Sequence, residues 1–352
     1  MIMQFIASRG DECVAFFRDF INPDRKLLCV ATLGFNDVCL HFPLALSSFP
    51  NVDFLFLVEE RPEVSEILRQ VATRNRDVLL ASLKGGNVQF ESVAIVAEDT
   101  ANVAGRRAAK VCAASIGRSY TDIVVDASSM SRGVCFPVVK QAYEMSKRSG
   151  GANAHIVVAG RNRPSIKATS TSSDAPQYVH GFQADMDTYD VRKAIKLWIP
   201  QLSELAVASL GRIYRFLEPH EACPILPFPS WNPRRGDELL REFQMPILND
   251  WDVNLLDVIY AHESDPTDVC ETITRIHRGR TDAFQASIAD PARTILSPAG
   301  SRIGSIGMLL ASLRLDLPIV YEESIGYTSD LSSVPEIPEN PPEHLWHVWL
   351  KP

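Results

Sequence analysis

The chain has 352 residues, of which 46% are hydrophobic and 22% charged, enough apolar material for one large α/β domain or two modest ones. A formal charge of −8 and a pI near 5.5 argue against a general nucleic-acid surface or an anionic membrane as partner, since both need a basic face. No apolar run is long enough to cross a membrane and no basic leader opens the chain. Cys13, Cys29, Cys39, Cys112, Cys135, Cys223 and Cys270 are scattered without a Cys-x-x-Cys pair, so a soluble cytoplasmic protein with reduced thiols is expected.

From the N-terminus, residues 11–21 have the spacing of a short amphipathic helix, and Leu-Leu-Cys-Val-Ala-Thr at 27–32 is an apolar run of strand type. Residues 34–37 turn into an apolar helix at 38–46. A second strand is expected at 53–59, then a long helix opened by Pro62, a break at Gly85-Gly86 and a strand at 88–96. An alanine-rich helix at about 101–116 leads to a strand ending at Asp126. The next helix ends in Lys-Arg-Ser-Gly at 147–150, which suits a helix C-terminus, and a fifth strand follows at 154–159. Near-continuous apolar strands separated by helices predict a parallel sheet covered on both faces, a Rossmann-like α/β domain over residues 1–160.

Residues 161–185 are too polar to bury themselves and read as a linker or exposed loop. A second α/β domain is expected over 186–331. Its strands fall at 194–199, 256–261, 293–296 and 317–321. Its helices fall at 203–216, at 234–243, after Asp265-Pro266, and at 301–313. Between them, the four prolines of 223–233 exclude a regular helix and a central strand alike. Residues 332–352 form a proline-rich, then aromatic tail, whose Trp346 and Trp349 are candidates to anchor a protein partner.

In open parallel sheets, ligands lie beyond the carboxyl ends of the strands, where strand order reverses. Four turns qualify. The first carries Thr32, Gly34 and Asn36; with one glycine it is neither a dinucleotide fingerprint nor a P-loop. At the end of the second strand, Glu60 or its neighbour Glu59 could hold a ribose hydroxyl or cap the next helix. The turns at 126–133 (Ser128, Ser129, Ser131, Arg132) and 297–305 (Ser297, Gly300, Ser301, Arg302, Ser305) each gather hydroxyls and a Ser-Arg step at a helix start. Unpaired N–H groups and the helix dipole there suit a phosphate or another anion, and the same hydroxyls also suit plain helix caps. Asp126 is a candidate catalytic base as well as a capping residue. Cys135 at a helix start, between Val134 and Phe136, reads as a packed thiol rather than a nucleophile. No cofactor is assigned, and no metal, because no His-x-x-x-His or paired carboxylates occur at these turns.

Ser-Pro-Ala-Gly-Ser-Arg-Ile-Gly-Ser-Ile-Gly-Met-Leu-Leu-Ala-Ser at 297–312, followed by Leu-Pro-Ile-Val-Tyr at 317–321, resembles the late strand-turn-helix-strand of CRISPR-associated Rossmann-fold (CARF) sensors. Gly300, Ser301 and Arg302 take the place of that family's Gly-Ser/Thr-Lys-like turn, with Arg in place of the more usual Lys. The resemblance implies a small nucleotide second messenger as ligand, a homodimer, and a role in bacterial antiviral defence. No HEPN-type effector follows, since the one Arg-x-x-x-x-His spacing, from Arg215 to His220, contains Pro219. The expectation is a protein that binds a nucleotide or another phosphate-bearing ligand at strand ends, as a sensor or regulatory component. Two other readings stay open. One is an enzyme that processes a nucleotide or sugar-nucleotide through Asp126, and the other is a non-catalytic scaffold or adaptor subunit that uses the tail.

Overall fold

The apolar run at 27–32 has no polar face to offer water. In the computed structural model, which describes residues 3–83, 87–97, 102–116, 120–183, 195–285 and 292–351, it becomes a strand buried along its whole length. The chain divides into two units, Met1–Ser172 with Glu323–Pro352 and Ser173–Glu322. Both are α/β.

The first unit is built on a seven-stranded sheet formed by β1 (Gln4–Arg9), β2 (Leu27–Thr32), β3 (Val52–Glu60), β5 (Val88–Ala94), β6 (Asp122–Asp126), β7 (Asn153–Gly160) and β17 (His344–Lys351), in the order β1-β17-β7-β6-β2-β3-β5. The five strands from β7 to β5 run parallel, with Val30 level with Leu55 on one side and Val125 on the other. Because β3 and β5 extend the sheet to one side of β2, and β6 and β7 to the other, strand order reverses between β2 and β6. Five helices flank it: α1 (Glu12–Phe20), α2 (His41–Leu46), α3 (Glu66–Ser82), α4 (Ala104–Ser115) and α5 (Arg132–Ser146). Leu27, Cys29 and Ala31 share one side of β2, as the two-residue repeat of a strand requires. They pack with Phe17 of α1, Phe42 of α2 and Leu79 of α3. A small sheet of β4 (Glu63–Val64), β8 (Thr169–Ser172) and β16 (Ser324–Thr328) completes the unit.

The second unit repeats this plan with other residues. Its strands are β9 (Gln177–Tyr178), β10 (Ile195–Gln201), β11 (Glu221–Ala222), β12 (Ile225–Pro227), β13 (Ile259–Ala261), β14 (Ala292–Pro298) and β15 (Val320–Tyr321). Its helices are α6 (Val207–Leu217), α7 (Arg235–Glu242), α8 (Pro266–Gln285) and α9 (Arg302–Leu315). β10 is central, with β11 and β12 and then β13 on one side and β14 on the other, all parallel. Strand order therefore reverses between β10 and β14. Trp198, Leu210, Ile213, Phe243 and Ile295 form its core.

Several expectations are corrected. The aromatic tail is not free: β17 pairs with β7 and β1 throughout, and Trp346, Val348 and Leu350 are buried in the chain's own sheet. The polar stretch after 161 contributes β8 and β9 to two small sheets, and the division between the two units, between Ser172 and Ser173, falls inside it; residues 184–185 lie outside the described residues, as does Gly85-Gly86. The proline-rich stretch does enter the middle of a sheet. Pro224 falls in the break between β11 and β12, and Pro227 ends β12, so each strand is too short to need an interior proline N–H. After Pro62 the chain first forms β4, and α3 starts only at Glu66 behind the N-cap position Ser65.

Candidate functional site

Each reversal of strand order opens a place where two loops diverge. In the first unit these are the loops after β2 and β6, and they touch: a Cβ added to Gly34 would lie 2.8 Å from Ser129 Oγ, so glycine is needed for the close approach. The Gly34 carbonyl accepts from Asn75 Nδ2 at 2.9 Å, and the Asn36 side chain accepts from Val38 N–H at 3.4 Å. Thr32 is buried at the end of β2, and its Oγ1 has no hydrogen-bond partner among the described residues. Asp126 is 2% exposed. Its Oδ1 accepts from the N–H and the hydroxyl of Ser128, whose Oγ in turn accepts from Ala159 N–H at 2.8 Å. That is the geometry of a residue that builds a turn and links β6 to β7.

The start of α5, expected to receive an anion, already holds two of the chain's own. Glu59 Oε1 accepts from Ser131 N–H at 2.7 Å, and Ser131 Oγ lies 3.5 Å from Glu323 Oε2. A Cβ on Gly133 would collide with the same Glu323 oxygen. Arg61 is the counter-charge. Its guanidinium donates to Glu59 Oε2 at 2.6 Å, to Glu323 Oε1 at 3.3 Å and to the Ser324 carbonyl, and stacks over Tyr327 at 5.1 Å. Burial alone would lower the guanidinium's pKa, but the charges of Glu59 and Glu323 hold it above its usual value. Burial raises Glu323, which Arg61 opposes. The dipole of α5 is thus met internally. Glu60 itself is exposed at the end of β3, Arg132 is partly exposed, and the working acid is Glu59.

The second unit differs at the equivalent place. Ser301 is the N-cap of α9, its Oγ accepting from Gly304 N–H at 3.0 Å and donating to the Glu263 carbonyl. Ser305 donates back to the Ser301 carbonyl at 2.8 Å, and Ser297 Oγ accepts from Trp198 Nε1 at 2.9 Å. These three hydroxyls hold the turn in shape. Across from them, at the end of central strand β10, stands Gln201, which the sequence reading missed because it ends that strand at 199. A Cβ on Gly300 or on Gly304 would run into the Gln201 carboxamide, so the two glycines form a cradle around it. Gln201 is 6% exposed, and its Oε1 has no hydrogen-bond partner among the described residues. The first turn of α9 has no acidic residue of its own, and Arg302, partly exposed, is its first residue. A polar residue ending the first strand of an α/β half is the signal that would have found Gln201.

Elsewhere the chemistry is plain. No group of three or more His, Cys, Asp or Glu residues that could hold a metal occurs among the described residues. All seven cysteines are free thiols, and burial pushes Cys13, Cys39 and Cys112 up to about 12, far from thiolate reactivity at neutral pH. Cys135 is 1% exposed. No helix among the described residues is long and apolar enough to cross a membrane. No protein-family model matches the chain, and no curated protein matches it in sequence.

Proposed function

We propose that this protein binds a small phosphate-bearing ligand, a nucleotide by its resemblance to CARF sensors, at the start of α9 in the second unit. The observation that carries the reading is Gln201, a neutral, buried carboxamide whose amide nitrogen faces Gly304 in the first turn of α9 and whose Oε1 has no hydrogen-bond partner among the described residues. The start of α5 supports the choice by contrast. Glu59 and Glu323 fill that turn and would repel a phosphate. Gly300 and Gly304 let the Gln201 carboxamide lie against the turn, and Arg302 supplies a charge-assisted donor. Asp126 Oδ1 holds a turn by accepting from the N–H and hydroxyl of Ser128, which supports a sensor over an enzyme. The free, largely buried cysteines support a reducing cytoplasmic setting, and the resemblance supports a dimeric sensor in bacterial antiviral defence.

Thermal-shift and calorimetric titration with nucleotides and cyclic oligonucleotides test this directly, with light scattering for the dimer. Arg302→Ala should weaken binding by roughly 1.5–3 kcal/mol, the range for a hydrogen bond to a charged group. Its melting temperature should barely change, because Arg302 is a partly exposed helix-start residue. A large melting loss with unchanged affinity would end the reading.

A further inference from the structure

The second unit carries an apolar surface that its own core does not use. Phe243, Ile247 and Trp251, spaced by four, bury one face of the helical stretch that runs from α7 to residue 250. The face turned to solvent is apolar as well: Met245 is 67% exposed and Leu248 is 51% exposed. Leu205 joins them. Its N–H donates to Glu242 Oε1 at 2.8 Å, and Met245 follows Glu242 by three residues, on the same side of the helix. Leu205 is 85% exposed at φ +62°, so a strained backbone position carries a side chain that stands in water. Such leucines add nothing to the fold and mark a surface that something covers.

The rim of this surface is acidic. From Glu242 to Ala261 the chain holds Asp250, Asp252 and Asp257 and no Lys, Arg or His. The Asp252 and Asp250 carboxylates stand near the Tyr214 hydroxyl of α6, whose pKa is raised by burial first and then by these two charges. The ion pairs described within the second unit leave both out.

We propose that this face docks a basic amphipathic helix of a partner protein, whose apolar side chains cover Leu205, Met245 and Leu248 while its lysines or arginines meet Glu242, Asp250 and Asp252. Charge complementarity selects that occupant. The same face of a second copy would set carboxylates against carboxylates, and an uncharged helix would leave the rim without counter-charge.

The experiment titrates the full chain with a synthetic amphipathic Leu-Lys helix peptide and with a scrambled peptide of the same composition, read by fluorescence anisotropy. The amphipathic peptide should bind about 10-fold more tightly than the scrambled one, because only its order presents an apolar and a basic side together. Leu205→Asn should weaken that binding by about 10-fold. The same variant should hold or raise the melting temperature, since asparagine tolerates a positive φ. Met245→Ser should weaken binding too, and Asp250→Asn combined with Asp252→Asn should weaken it and flatten its salt dependence. Leu80→Ser, which removes an exposed leucine from α3 of the first unit, should change nothing. If the amphipathic peptide does not bind, binds no better than the scrambled one, or binds Leu205→Asn and Met245→Ser as it binds the parent, the proposal is overturned.

Discussion

Acidification should destabilise the first unit through one buried ring. His347 of β17 is fully buried, and its Nε2 lies 3.0 Å from His155 Nδ1, while His155 Nε2 lies 3.3 Å from Asp122 Oδ1. Asp122 also takes Arg25 at 3.0 Å and Asn153 at 2.9 Å, and Phe16 stacks on His347 with ring centres 4.3 Å apart. Burial first, and then the neighbouring His155, lower the His347 pKa from 6.5 to about 3. A folded-state pKa below the unfolded one means that the unfolded chain takes up the proton first. The stability that neutral His347 supports is complete above the unfolded value and is lost progressively as pH falls toward 3. Between pH 7.5 and pH 5 this loss is about 2 kcal/mol, at about 1.4 kcal/mol per pKa unit. His155, lowered by burial against the pull of Asp122, adds in the same direction. Amide hydrogen exchange across β17, corrected for the intrinsic pH dependence, reads the opening free energy of this unit alone. His347→Gln should flatten the slope between pH 7.5 and 5, whatever its cost at neutral pH. A parent whose β17 protection is constant over that range, or a variant with the parent's slope, would refute the argument.

Three further outcomes follow from the same packing. Arg61→Met should cost about 3–5 kcal/mol, because Glu59 and Glu323 are left as buried charges without a counter-charge; a loss under 1 kcal/mol by urea denaturation would contradict that network. Gly133→Ala should cost about 1–3 kcal/mol, since the added methyl meets Glu323 Oε2, on a carboxylate whose other oxygen is held by Arg61 and the Ser324 N–H, and a parent-like melting temperature would show that the carboxylate moves aside. Truncation before His344 removes buried Trp346, Val348 and Leu350, worth about 1.5–3 kcal/mol each, from a fold whose whole margin is about 5–15 kcal/mol. The truncated chain should lose protection in β7 and β1, and survival of that protection would restore the tail as a free partner anchor.

How much of this was legible depended on how local the cause was. The runs at 27–32, 53–59 and 154–159 are apolar on both faces, and that alone requires a covered parallel sheet, which is what forms. The strand β17 has the same two-faced apolar character, but the prolines before it made it look like a detached tail. Only its pairing partners, near the two ends of the first unit's main segment, make it a strand. The turn at 126–133 was legible as a helix start with free N–H groups. Its occupants were not, because Glu323 lies 192 residues away from Ser131 in sequence and arrives through β16. Gln201 escaped for a related reason: its meaning lies in Gly300 and Gly304, about a hundred residues on, which no local pattern connects to it.

The two units answer one electrostatic problem in opposite ways. Each places a helix after the strand that lies on the other side of the first one, β6 or β14, with the positive end of its dipole at the reversal of strand order. In the first unit, two carboxylates and one guanidinium close that end completely, and Gly133 is small so that Glu323 can reach it. In the second, the glycines are again small, but what they admit is a carboxamide that carries no charge and leaves an oxygen without a donor. Leaving a buried polar atom unpaired costs about 1–3 kcal/mol, whereas a carboxylate at Gln201 would have met the same dipole favourably. The second turn forgoes that gain. This is why the low side-chain identity between the two turns is informative: with the same strand order in both units, the difference lies in whether carboxylates or a carboxamide are set against the helix end.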